Sequence, residues 1–303
     1  MRNAFANSMC QIAEADKRVR VLVGDIGFRI FDDFRSRHSD KFLNCGIAEQ
    51  NMLSVAAGMS SEGLKVFVYT ITPFLLMRGY EQIRVDVGIN MSNIVLVGVG
   101  AGIAYDKLGP THHAYEDISL MRNIPGLRIL TPYDGPSTVK STFDAYENLV
   151  SSASYIRLSK GGEPIVPKPC EETKELAIWR SQSKVRKIIV CHGSITNLYV
   201  NAQEQKVRGY DVVSLKELSV LSLERLTEAL TLYIDVDVIF CEESFSNGSV
   251  FERFMSFYGR RFQCHSFGQV CLPIGYIYDV KARGSMLDEY GFSLQDVLSV
   301  SCT

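Results

Sequence analysis

Tryptophan occurs once in 303 residues, and no two of the eight cysteines stand in a C-x-x-C pair. The spacing therefore offers neither a zinc ribbon nor a dithiol redox motif. Cys191 and Cys241 lie inside apolar runs, "IIVCHG" and "VIFCEE", and Cys45 sits beside a further apolar stretch. Buried, reduced thiols account for them better than disulfides. An excess of charge of one sign is also missing: 32 basic residues against 34 acidic leave a net charge of −2. No electrostatic footprint for nucleic acid or membrane is visible. No apolar run approaches spanning length, and the opening "MRNAFANSMC" has no signal-like apolar core. The G-x-G-x-x-G fingerprint is absent too, since "GVGAG" (98–102) is spaced G-x-G-x-G with no acidic residue at the right distance. Those glycines suggest tight packing or the close approach of a ligand. Together these absences point to a cytoplasmic protein that handles a small molecule or another protein.

What is present is a regular alternation. "VRVLVGD", "KVFVYT", "NIVLVGVG", "LRILTP" and "SYIRLS" read as strands, most of them continuously apolar, as in parallel strands buried on both faces. Helical patterns fall between them near 3–16, 49–62, 74–88 and 134–149, the last opening at "YDGPSTVK". A Gly-, Pro- and charge-rich stretch, "KGGEPIVPKPCEETKE" (160–175), breaks the series. A second series follows, with strands at 187–193, 211–215, 236–243 and 261–268 and helices near 195–208, 222–232, 248–258 and 293–300. The fold class is α/β, in two doubly wound domains. We place them at 1–165 and 187–303, joined by a linker region at 166–186.

Three stretches could carry chemistry. Glu49 in "GIAEQN" opens a helix whose next turns are apolar or small. A carboxylate there can be a plain helix cap, but apolar flanks on both sides ask for a dedicated partner. "GPTHHAYED" (109–117) follows an apolar strand and places two imidazoles and two carboxylates after a forced turn. Loops after the carboxyl ends of strands form the ligand crevice of such sheets, and a histidine there can donate to a substrate oxygen or relay a proton. His112 and Glu116 are four apart, but no third metal ligand is in view. In "YTITPFLLMRGYEQI", Phe74, Met77 and Tyr80 share a helix face, a spacing as common in cores as in cofactor pockets. Arg78 and Arg84 read as surface charges or anion binders.

Taken together, "GDIG", "CGIAEQNM", "TPFLLMRGYEQI", "GPTHHAYEDISLMRNIPGLRILTPYD" and "YIRLSKGGEP" occur in the order found in transketolases and deoxyxylulose-phosphate synthases. The chain resembles the carboxyl-terminal half of a transketolase: closely over about 1–165, and more loosely beyond, through "HGS" (192–194) and "CEESFSNGSV" (241–250). The resemblance implies a pyrimidine-binding domain followed by a smaller carboxyl-terminal domain. The family's GDG…N motif, which binds magnesium and the cofactor's phosphates, is missing here. That implies the small subunit of a split, thiamin-diphosphate-dependent transketolase. A large subunit would then supply the Mg2+ site and the diphosphate pocket, in an α2β2 assembly, and this chain would hold no metal of its own.

The resemblance also assigns roles. Glu49 matches the glutamate that hydrogen-bonds the aminopyrimidine nitrogen of thiamin diphosphate and makes the exocyclic amine basic. Phe74 matches the aromatic beside that ring, Met77 a stacking position, Tyr80 a further pocket position, and Asp25 an acidic residue near the thiazolium. His112 matches the substrate-facing histidine of G-P-T-H, while Arg157 and Lys160 fall in a basic segment that contacts substrate anions. Two departures stand out: Leu108 replaces the usual aspartate before G-P-T-H, and no phosphate-binding His or Arg stands near Gly100. Losing those partners should change which sugars are accepted. The implied reaction is transfer of a two-carbon ketol unit from a ketose to a carbonyl acceptor, an unusual or nucleotide-linked sugar among the candidates. A 2-oxoacid dehydrogenase beta subunit and a non-catalytic interaction subunit are the alternatives, the first disfavoured by "GPTHHAYED" and the second by the intact Glu49 and His112.

Overall fold

The computed structural model describes all residues except 150–151, 205–208, 263–264 and 303. Strands β1 (Val19–Val23), β2 (Phe42–Asn44), β3 (Lys65–Ile71), β4 (Ile94–Val99), β5 (Arg128–Leu130) and β6 (Ser154–Leu158) form one sheet in the order β2-β1-β3-β4-β6-β5. Every neighbouring pair is parallel, with Val21 in register with both Phe42 and Phe67. Helices α1 (Arg2–Ala15), α2 (Asp32–Arg37), α3 (Glu49–Ser61), α4 (Thr72–Gln82), α5 (Asp117–Met121) and α6 (Gly135–Glu147) connect and cover it.

The continuous apolar runs have a direct cause. Along β3, Phe67 and Tyr69 join the core packed under α1, while Val66 and Val68 join the core under α3 and α4. Both faces are buried, so no polar alternation survives. Each large side chain buried this way stabilises the fold by about 1.5–3 kcal/mol. α6 starts at Asp134, whose side chain accepts from Ser137 N–H at 2.9 Å in a reciprocal capping box, as the turn residues of "YDGPSTVK" suggest.

The second sheet contains β7 (Glu171–Glu172), β8 (Leu176–Trp179), β9 (Lys187–His192), β10 (Tyr210–Leu215), β11 (Asp237–Phe245) and β12 (Ser266–Leu272), in the order β12-β11-β9-β10-β8-β7. Strands β12, β11, β9 and β10 run parallel, and β8 and β7 are antiparallel additions at one edge. α7 (Thr196–Glu204), α8 (Val220–Leu230), α9 (Val250–Phe257), α10 (Arg283–Glu289) and α11 (Leu294–Ser299) surround it. The architecture is the two-sheet α/β fold expected from the alternating pattern. Among the described residues no helix is long and apolar enough to cross a membrane.

Several elements differ from the sequence reading. The stretch 166–186, read without strands, carries β7 and β8, which are two and four residues long and flanked by charges. The helix expected over 74–88 divides into α4 and a π-helical turn, Ile83–Ile89. The strand expected over 261–268 begins at Ser266, and residues 263–264, Cys264 among them, lie outside the described residues, as does the 205–208 end of the helix expected near 195–208. Cys10, Cys191 and Cys241 are buried free thiols, and burial pushes Cys191 up to about 12. Cys170 is exposed, against expectation, because its segment crosses the surface before β7.

Candidate active site

In the first sheet the chain leaves β1 toward β2 on one side and returns to β3 on the other. A crevice therefore opens at the carboxyl ends of β1 and β3, the place where such sheets bind ligands. Glu49, first residue of α3, stands in it and is 2% exposed. Gly24, just past β1, brings backbone close to this carboxylate: a Cβ there would lie 3.6 Å from Glu49 Cγ and 2.9 Å from Thr70 Oγ1.

α4 faces Glu49 across the crevice. Its Arg78 Nη1 donates to Glu49 Oε2 at 2.9 Å, and the guanidinium lies over the Phe74 ring at 4.2 Å. α4 can approach α3 this closely because Gly79 has no side chain: a Cβ there would meet Leu53 Cδ1 at 2.2 Å. Gly79 also departs from helical geometry (φ −106°, ψ 15°), which turns the first two turns of α4 relative to the rest.

His112 closes the third side. Its ring meets Phe74 edge-on at 5.0 Å and Tyr105 at 5.8 Å, and its Nδ1 is 2.9 Å from Thr111 Oγ1. Burial first, and then the Arg78 charge, hold this imidazole below its ordinary value, so it is neutral near pH 7.

The structure thus brings Glu49, Phe74 and His112 together. Met77 is exposed at the rim. Asp25 also stands at the rim, exposed, with φ +53° and a reciprocal pair of hydrogen bonds with Asn44 at 2.9 and 3.1 Å. Tyr80 points elsewhere: its hydroxyl donates to the Leu120 carbonyl at 3.0 Å and its ring packs on the α3–α4 core. Arg157 is buried and engaged. It pairs with Asp117 at 2.6 Å and donates to the Glu243 carbonyl at 3.0 Å, leaving no exposed cation for a substrate.

Lys160 lies in a separate cavity of about 620 Å³ between the two sheets, together with Arg2, Asp106, Ser194, Asn197 and Arg283. Its ammonium sits 5.1 Å from the Tyr105 ring, so Tyr105 is shared between His112 and this cavity. Arg2 Nε is buried there without a hydrogen-bond partner. Arg2, Tyr105 and Arg283 were not legible as site residues, since each reaches the site only through the tertiary fold. Among the described residues no group of three His, Cys, Asp or Glu side chains is placed to hold a metal ion.

The crevice thus sets a buried carboxylate beside a phenyl ring, with Arg78 lying between them. Residues 1–163 match the family described as transketolase, pyrimidine binding domain. The chain belongs to the transketolase family. It is 34% identical over 169 residues to one chain of the apulose-4-phosphate transketolase of Phocaeicola vulgatus, covering 54% of this chain and 53% of that one. Human transketolase is 34% identical over 142 residues, which cover 46% of this chain and 22% of that enzyme. The chain thus spans about half or less of the length of these curated relatives. In structure it is similar to a split gene transketolase solved as an inactive beta4 tetramer (TM-score 0.81, 26% identity), over 98% of this chain and 95% of that one. The transketolase of Campylobacter jejuni shares the fold, with a TM-score of 0.79 at 18% identity, over 98% of this chain and 45% of that one. In this transketolase-family chain the family match ends within five residues of Leu158, the end of the first sheet.

Proposed function

We propose that this chain is the small subunit of a thiamin-diphosphate-dependent transketolase, active only with a large subunit that supplies the Mg2+ and diphosphate sites. The observation that carries the reading is a buried carboxylate, Glu49, facing Phe74 and His112 across one crevice. When bound, thiamin diphosphate supplies the carbanion chemistry that breaks and remakes the carbon–carbon bond of a ketose. Glu49 would hydrogen-bond the cofactor's ring nitrogen, in place of the Arg78 guanidinium that it pairs with here. Phe74 would fix the plane of that ring. His112, neutral and bonded through Nδ1 to Thr111, presents Nε2 to a substrate oxygen, to donate to it or take its proton.

Lys160 and Arg2 line one cavity, joined to His112 through Tyr105, and this spacing suits a sugar with an anionic group at its far end. The relative named for apulose 4-phosphate acts on a phosphorylated sugar, and we extend that substrate class to this chain. Leu108, exposed just before Gly109, offers no hydrogen bond to a donor hydroxyl. The preferred pair therefore differs from xylulose 5-phosphate and ribose 5-phosphate.

Partner binding has its own support. Phe28, Leu43, Ile47, Met77 and Leu108 are large, apolar and exposed, and all stand in or beside the elements that frame the crevice. A surface of this kind suits burial against another subunit. The similar split gene chain is an inactive beta4 tetramer, and we take the same inactivity for this chain alone. Residues 1–165 would be the pyrimidine-binding domain and 187–303 the carboxyl-terminal domain, with 166–186 between them.

Calorimetric titration of thiamin diphosphate and magnesium tests the reading. Binding is expected only in the mixture with the large subunit, followed by ketol transfer to phosphorylated sugars. Tight binding by this chain alone, or ordinary turnover of xylulose 5-phosphate with ribose 5-phosphate, would overturn the corresponding part.

A further inference from the structure

Among the described residues the contacts around Glu49 all come from the first sheet and its helices, yet the second domain grips the loop that carries His112. That loop, 101–116, leaves β4 and ends at α5. It turns back on itself through a bridge between Gly102 and Ala114, where the Ala114 N–H donates to the Gly102 carbonyl at 2.8 Å. Glu243, a buried residue of β11, reaches across from the second sheet, and its Oε1 accepts from the Ile103 N–H at 3.0 Å.

The carboxylate is itself immobilised. Arg283, at the start of α10, donates from Nε to Oε1 at 2.9 Å and from Nη2 to Oε2 at 2.5 Å. The backbone N–H of the same Arg283 donates to Asp106 Oδ2 at 3.1 Å. Ile103 and Asp106 flank Tyr105, so the two grips fall on either side of the ring that His112 packs against. A third contact, from the Phe245 N–H to the Tyr115 carbonyl at 3.1 Å, pins the end of the loop.

The sequence is built to allow this approach. Gly102 has φ +57°, and a Cβ there would lie 2.4 Å from Glu243 Cδ. Gly100 has φ +93°, and a Cβ there would lie 2.1 Å from Tyr105 Cδ2. The G-x-G-x-G spacing therefore admits the Tyr105 ring at one glycine and the Glu243 carboxylate at the next. Any other residue at either place would displace the loop.

We propose that Glu243 is a positioning residue for the His112 loop, acting through Ile103 and Tyr105, and that the second domain is in this way part of the reactive machinery. The inference rests on the reading that His112 contacts substrate. Its geometric part, that Glu243 orders the loop, can be tested without any reaction.

The experiment compares Glu243→Ala, Glu243→Gln and Gly102→Ala with a control, Asp211→Asn. Asp211 is buried in the second sheet, where it accepts from Ser181 and Tyr233, away from the loop. Hydrogen–deuterium exchange is followed on the full chain. Amides of 101–116 are expected to exchange at least about tenfold faster in Glu243→Ala and in Gly102→Ala. Glu243→Gln, which keeps an oxygen for Ile103, should recover much of the protection. In the control, exchange in 101–116 should stay at the parental rate even when the melting temperature falls equally. Unchanged exchange in the loop, or an equal rise in the control, overturns the proposal. If Glu243→Ala does not fold, Gly102→Ala and Glu243→Gln decide it.

With the large subunit, Glu243→Ala should lower kcat/KM by about 10–100-fold while cofactor affinity stays within about twofold, because a displacement of about 1 Å is enough. A loosened loop with unchanged kcat/KM overturns the positioning role. If the loop loosens in Glu243→Ala while the assembled parent enzyme transfers no ketol group, the proposed reaction is refuted and the loop's dependence on Glu243 stands.

Discussion

At the scale of single residues, Glu49 and His112 make separable predictions. Glu49→Ala in the assembled enzyme should lower turnover by about 10²–10⁴-fold, the range for losing a proton-transfer group, with the fold unchanged by circular dichroism. A non-catalytic subunit would tolerate the change. His112 titrates below the ordinary 6.5, from burial first and from Arg78 second. A folded value below the free one keeps the imidazole neutral to lower pH, so the acid limb of kcat/KM attributed to it should lie below 6.5. Arg78→Gln removes one of the two causes and should move that limb upward, as should the His112 ring resonances in an NMR titration. Glu49, Phe74 and His112 were legible as candidates because each sits in a short local motif. Arg157 was misread, since its place in a basic segment hides the buried Asp117 forty residues earlier.

At the scale of elements, the contact between α3 and α4 decides where Phe74 and Arg78 stand. Gly79→Ala drives a methyl into Leu53 and should cost about 1–3 kcal/mol, read from the urea midpoint. Leu53→Ala in the same chain opens the space, so the double variant should cost less than the sum of the two single ones. The longer strands β1, β3, β4, β6, β9, β10 and β11 were readable because burial on both faces leaves a continuous apolar run. β2, β7 and β8 were not, since they are short and, unlike the equally short β5 in "LRILTP", stand among charged and polar residues. α5 and α10, at five and seven residues, were not read either.

At the scale of the whole molecule, buried charge joins the two sheets: Asp117 to Arg157, Arg157 to the Glu243 carbonyl, and Glu243 to Arg283. No pattern within a segment announces this chain of contacts, because its members lie 40 to 86 residues apart. Burial alone would raise Glu243, but the Arg283 charge and hydrogen bonds, with Arg157 and the Ile103 N–H, bring it below the ordinary 4.5. Such a carboxylate stabilises the fold fully above 4.5 and loses that contribution as pH falls through the lower native value. His112 and His113 are also lowered, chiefly by burial, so the unfolded chain takes up their protons first. Melting temperature should therefore decline gently from about pH 6.5 and steeply below 4.5. Glu243→Gln should lower the neutral plateau and flatten the steep part.

The guanidinium on Glu49 has one more consequence. Arg78 already gives that carboxylate a charged donor and already covers Phe74, while remaining 45% exposed itself. A ligand that takes over the Glu49 Oε2 contact and the Phe74 face exchanges with it. The free energy measured on entry is thus a difference between two occupants, and only a newcomer that outcompetes a hydrogen-bonded cation will register at all.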